Sequence, residues 1–210
     1  MCYIQKIYRI IAVLRNQIDK IRLLFHKDRK SYLCFYKILG FFPRNIQPYQ
    51  QALLHKSTSI RTQKGSPINN ERMEFLGDAA LGFIIVEYLY KAYPDEREGV
   101  LTEKKISIVR RESLADFSRQ LGFDQFLKLG NGEEKSGGRD NDANLENLFE
   151  AFLGAVLMDQ GFNAVKNFIY EVIIPKIEDG SYDKVTDYKS ALQEIFYTAG
   201  HIDTNNKIPL

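Results

Sequence analysis

The sequence predicts an all-α protein, and three observations carry that prediction. Apolar residues recur at threes and fours along most of the 210-residue chain, and strand-length alternation of apolar and polar residues is absent. Segments rich in turn residues, YPDEREG at 93–99 and LGNGEEKSGGRD at 129–140, separate the helical periods. A hydrophobic content of 44% beside 27% charged residues is enough for one globular domain with a core.

The first element is YIQKIYRIIAVLRNQIDKIRLLF, where Ile4, Ile7, Ile11, Leu14, Ile18 and Ile21 form one amphipathic stripe. Lys6, Arg9, Arg15, Lys20 and Arg22 interrupt it too often for a membrane span or a signal peptide. Residues 1–30 therefore form a basic amphipathic helix, which can pack on the domain, lie on an anionic surface such as RNA, or associate with a membrane. Residues 1–50 carry ten Lys and Arg against Asp19 and Asp28, whereas the whole chain is only +2, so a basic arm precedes an acidic body.

Further helical periods cover roughly 31–40, 46–55, 70–92, 101–110, 112–121, 144–160 and 162–176. The stretch around 178–186 reads as a linker, and 187–210 is too short to fold alone. Cys2 and Cys34, with His26, His55 and His201, show no zinc spacing and no disulfide framework, which fits a reducing, cytoplasmic setting.

The period at 70–92 begins NNERMEFLGDAALG, with Asn70 as its expected cap. Glu71, Glu74 and Asp78 are spaced i, i+3, i+7, which at about 100° per residue puts them on one face within roughly 60° of arc. Asp78 stands between Phe75-Leu76-Gly77 and Ala79-Ala80-Leu81, so it is expected to be buried. Like charges at this spacing repel, and a buried carboxylate needs a positive partner, either an arginine or a divalent metal. In ANLENLFEAFLGAVLMDQG at 143–161, Glu150 again sits in an apolar helix with Asn147 one turn earlier. Two such helices can build an all-oxygen site that suits Mg²⁺ or Mn²⁺ rather than zinc. The alternative is that Glu74, Asp78 and Glu150 pair with Arg72, Lys104 or Arg110.

NNERMEFLGDAALG resembles the signature helix of the ribonuclease III family, the double-stranded-RNA endonucleases. ALLHKST at 52–58, REGVLTEKKISIVRRESLA at 97–115, LGNGEEKSGGRD at 129–140 and FEAFLGAVLMDQG at 149–161 resemble further segments of that family in its own order. The resemblance implies an endonuclease domain at 31–177 with an all-helical, homodimeric fold. It implies Glu74, Asp78, Asn147 and Glu150 as the Mg²⁺ site, with Asp78 and Glu150 catalytic and Mn²⁺ able to substitute. Glu71 and Glu98 resemble acids that line the cleft, and Phe75 resembles an aromatic that plugs into the partner subunit. The implied reaction is metal-assisted hydrolysis of double-stranded RNA to 5′-phosphate and 3′-hydroxyl ends, in the maturation of ribosomal and messenger RNA precursors. Lys104, Lys105, Arg110 and Arg111 are expected to bind RNA phosphates, together with the basic arm.

The chain departs from the family at two places. Position 147 is Asn where the family usually has Asp, and an amide oxygen can ligate a hard cation without supplying charge. Glu146, about 100° around the helix from Asn147, is not expected to replace it. At the C-terminus, 187–210 resembles only the start of a double-stranded-RNA-binding domain. A non-catalytic descendant that binds structured RNA is therefore the second reading. The retained acids argue for the enzyme, because a row of carboxylates facing a polyanion gives a pure binder nothing.

Overall fold

The computed structural model describes residues 29–180. The basic helix expected within 1–30 lies almost wholly outside the described residues, as do most of the 178–186 linker and all of the 187–210 segment. The described chain folds as helices α1 (Arg29–Leu39), α2 (Gln47–Ala52), α3 (Glu71–Ala92), α4 (Glu98–Val109) and α5 (Arg111–Gln120). They are followed by α6 (Asn131–Lys135), α7 (Asp142–Gln160), α8 (Phe162–Val172) and α9 (Ile174–Glu178). Short 3-10 turns at Lys56–Thr58 and Phe123–Phe126 join them. Among the described residues, extended pairing is limited to two isolated bridges, Leu54 with Lys128 and Arg61 with Pro67. The fold is all-α, as the apolar spacing predicts.

The longest described helices, α3 and α7, are packed against each other through glycine. A Cβ on Gly77 would run into the Glu150 carbonyl, and one on Gly154 would run into the Met73 carbonyl. These two contacts pair rising numbers on α3 with falling numbers on α7, so the helices run antiparallel with their backbones in touch. Only glycine permits this approach. Leu81, Ile84, Ile85 and Leu89 of α3 and Leu148, Phe149, Phe152 and Val156 of α7 are buried in the core that the two helices share.

Phe152 is the hub of the aromatic core. Its ring lies 4.4 Å from Phe123, 5.6 Å from Tyr49 and 6.0 Å from Phe168, centroid to centroid. Each such pair contributes about 0.5–1.5 kcal/mol beyond its buried area. Asp159, near the end of α7, accepts from the backbone N–H groups of Arg44 (3.0 Å) and Asn45 (2.8 Å) and from the Tyr49 hydroxyl (2.9 Å), which ties the start of α2 to α7.

Two local expectations are corrected. The period expected at 162–176 is two helices, because Pro175 has no N–H to continue the ladder and the chain restarts after Ile173. The segment 129–140, expected as a turn, contains α6 at Asn131–Lys135, with Glu133 and Glu134 favouring its N-terminal end.

Candidate functional site

The N-terminus of α3 positions the acid row. Asn70 occupies the cap position but makes no side-chain capping bond, and its Nδ2 is buried without a partner. The expected capping role belongs to Asn69. Its Oδ1 accepts from the Glu71 N–H (3.2 Å) and its Nδ2 donates to Glu71 Oε2 (2.8 Å), which orients that carboxylate. Lys56 Nζ stands 3.8 Å from Glu71 Oε1. The sequence alone does not single out Lys56, although it lies in ALLHKST, just ahead of the acid row.

Glu150 of α7 is half-buried, and burial, with Asp78, Glu146 and Glu74 adding repulsion, pushes its carboxyl up to about 8. Every neighbour acting on it is an acid. Glu74 is raised too, by burial first and then by Glu71, against the pull of Lys56, with Glu146 and Asp78 adding to the rise. Among the described residues no ion pair reaches Glu74, Asp78 or Glu150, so the expected pairing of these three acids with Arg72, Lys104 or Arg110 is not seen, and the basic groups at this face, Lys56 and Arg111, pair with Glu71 and Glu146 instead. Uncompensated oxygen donors of this kind match the chemistry of a hard divalent cation. Among the described residues, however, no group of three or more His, Cys, Asp or Glu is already drawn together to ligating distance.

Asp78 departs from the expectation of burial. It is exposed, and so are its neighbours Phe75, Leu76 and Ala79. The apolar run around it is not core on this side, because the core-facing side of α3 is formed by Met73, Gly77, Ala80 and Leu81. Phe75 is 81% exposed, as expected for a lone subunit. Phe83, Val86 and Tyr90 are also exposed and share its side of the helix, at about 100° per residue. Large apolar side chains exposed in such a stripe are the kind of surface that a protein partner, a ligand or a membrane can cover.

The remaining predicted residues divide. Glu71 is exposed at the acid row and acts on Glu74. Glu98 opens α4, accepts from Thr102 Oγ1 (2.8 Å), and is not among the groups acting on Glu74 or Glu150. Lys104 lies over the Tyr93 ring at 4.8 Å, and Arg110 Nε donates to Ser113 Oγ (3.2 Å). Lys105 is half-buried on α4. Arg111 reaches the acid cluster, donating through Nε to Glu146 Oε2 at 2.8 Å. Asn147 is half-buried on α7, one turn before Glu150.

Behind the site, a polar knot fixes the start of α7. The Asn141 side chain caps it by accepting from the Ala143 N–H (2.9 Å), and Asn144 Nδ2 donates to Glu133 Oε1 (2.8 Å) and to the Gly138 carbonyl (2.9 Å). Ser57 Oγ accepts from the Gly130 N–H (2.8 Å) and contacts His55 Nδ1 (2.8 Å). Burial holds the His55 imidazole below its ordinary value.

Among the described residues no helix is long and apolar enough to cross a membrane. A family model described as Ribonuclease-III-like matches residues 45–177. A protein named Ribonuclease 3 from Bacteroides thetaiotaomicron is 48% identical over 186 residues, covering 87% of this chain and 58% of its own length. Ribonuclease 3 from Streptococcus gordonii is 50% identical over 164 residues, covering 78% of this chain and 71% of its own length. The chain thus spans about six-tenths of the Bacteroides relatives' length. A solved nuclease domain of ribonuclease III from Campylobacter jejuni, described as flexible in a region involved in dimer formation, superposes with a TM-score of 0.61. It is 29% identical and covers 67% of this chain and 94% of that one.

Proposed function

Because this chain belongs to the ribonuclease III family, we propose that it is a metal-dependent endonuclease of double-stranded RNA that works as a homodimer. One observation carries the reading. Glu150 is a half-buried carboxylate whose charged neighbours are all acids, an arrangement that is costly without a cation and balanced with one.

Glu74, Asp78 and Glu150 supply the charged oxygens of the site and Asn147 supplies an amide oxygen. A bound Mg²⁺, or Mn²⁺ in its place, would activate water and neutralise charge on the scissile phosphate. Glu150 holds a proton near neutral pH while the acids face one another alone, and must release it to ligate. Glu71 and Glu98 line the cleft. Lys104, Lys105, Arg110 and Arg111 neutralise RNA phosphates, which suits a duplex read by shape rather than by base sequence. Phe75 leads the apolar stripe that meets the second subunit.

The products carry 5′-phosphate and 3′-hydroxyl ends, and the reaction serves ribosomal and messenger RNA maturation in the cytoplasm. On this reading the nuclease unit is residues 31–177, and the basic segment before it and the segment after it lie largely outside the described residues. A dimeric RNA binder without catalysis is the second reading, favoured by the neutral side chain at Asn147. Incubating the protein with long double-stranded RNA, with and without Mg²⁺, and sizing the products separates the two. Mg²⁺-dependent shortening of the RNA is expected, and intact RNA at every metal concentration would contradict the proposal.

A further inference from the structure

On the reading that the acid row holds a divalent cation, we infer that Glu146, rather than Asn147, supplies the site's fourth charge, with Arg111 balancing that charge until the cation does. The helix geometry admits it. Viewed from Glu150, Asn147 lies about 60° to one side and Glu146 about 40° to the other, so the two flank the same carboxylate. The separation of about 100° between Glu146 and Asn147 is therefore no bar to Glu146 facing the site.

The surroundings support it. The Glu146 side chain is 20% exposed and its carboxylate is held by Arg111 Nε at 2.8 Å, whereas the Arg111 side chain is 58% exposed and free to leave toward solvent or a phosphate. Glu146 acts electrostatically on both Glu74 and Glu150, across the junction of α3 and α7. It is thus a carboxylate on the acid face, neutralised by a detachable cation, in a site that has an amide in place of a carboxylate at 147. A divalent ion arriving there gains the charge that Asn147 lacks, and Arg111 becomes available to RNA.

The alternative is that the Arg111–Glu146 pair only pins α5 to α7. Calorimetric titration of Mn²⁺ into the 210-residue chain, without RNA, separates the two, with thermal melts of each variant alongside. Under the inference Glu146→Gln weakens Mn²⁺ binding on the order of 10-fold or more, the range seen when a metal site loses a supporting group. Arg111→Gln tightens it, because the competing cation is gone. The double variant Glu146→Gln/Asn147→Asp recovers affinity by moving the charge one residue. A purely structural pair predicts instead that both single variants lower the melting temperature and leave Mn²⁺ affinity unmoved, which would overturn the inference. Glu150→Gln is the control. If it abolishes Mn²⁺ binding while Glu146→Gln does not change it, the inference falls and the nuclease reading stands. If neither variant changes binding, the acid row is not the metal site and both fall.

Discussion

The main-chain carbonyl of Glu150 occupies the space where a side chain on Gly77 would begin, and the acid row of α3 and the acid of α7 face each other across that contact. The close approach that lets the two helices pack is also what brings Glu74 and Glu150 within electrostatic reach.

Gly77→Ala should therefore destabilise the fold by about 1–3 kcal/mol, since overpacking here meets backbone that cannot swing aside. Gly82, further along the same helix, has open space in the lone subunit where a methyl group would stand, so Gly82→Ala should leave the folding of the subunit unchanged or stabilise it by up to about 1 kcal/mol, compared at a concentration where the protein is monomeric. Urea denaturation of both variants checks the contrast. Equal effects at the two positions would mean that the contact is not tight in solution.

The raised Glu150 carboxyl makes the metal-free protein sensitive to pH. Its folded value of about 8 exceeds its ordinary 4.5, so the folded state binds the proton more tightly than the unfolded state. The stability from this group is fully present below about 4.5, falls as pH rises toward 8, and is lost above it. Glu150→Gln should flatten that part of the stability profile. Divalent-cation binding at neutral pH should release a proton from the parent, measurable by calorimetry in buffers of different ionisation enthalpy. Binding with no proton release would contradict the raised carboxyl.

Phe75, exposed at 81%, heads a stripe that continues through Phe83, Val86 and Tyr90. Phe75→Ala should shift sedimentation at micromolar concentration toward monomer, because truncating a large aromatic that a partner subunit covers costs on the order of 1–2 kcal/mol or more. A parent protein that sediments as a monomer would contradict the assignment.

If Lys104, Lys105, Arg110 and Arg111 meet RNA phosphates as proposed, RNA affinity should fall steeply with salt. Replacing Lys104 and Lys105 by Gln should weaken binding to duplexes of any sequence and reduce the salt slope by about one for each lysine replaced. Filter-binding at several salt concentrations reads both quantities. A slope that does not change would place the phosphate-binding groups elsewhere.

Much of this is legible in the sequence, and what is not has identifiable physical reasons. The signature helix expected at 70–92 forms at Glu71–Ala92, because its apolar period runs unbroken by proline until Pro94. The apolar neighbours of Asp78 predict its burial. Yet hydrophobicity does not tell a face turned to the core from one left exposed, and Phe75, Leu76 and Ala79 are of the second kind. Glu146 looks misplaced when its angle is taken from Asn147, and well placed when it is taken from Glu150. Its pairing with Arg111, 35 residues away in sequence, follows from how α5 packs against α7, which periodicity along one helix does not contain. The capping role falls to Asn69 instead of Asn70 for a similar reason, since asparagine can cap from either position and only the local turn decides between them.

The most direct test is cleavage of long double-stranded RNA in Mg²⁺ by the parent and by Glu150→Gln, each first shown to fold and to have the same oligomeric state. The parent should shorten the RNA only when Mg²⁺ is present, and the variant should leave it intact while remaining at least as stable as the parent without metal near neutral pH, because the neutral amide folds without the proton that the buried carboxyl, with its folded value of about 8, must take up there. A Glu150→Gln protein that cuts at the parental rate would contradict the assignment of the acid site.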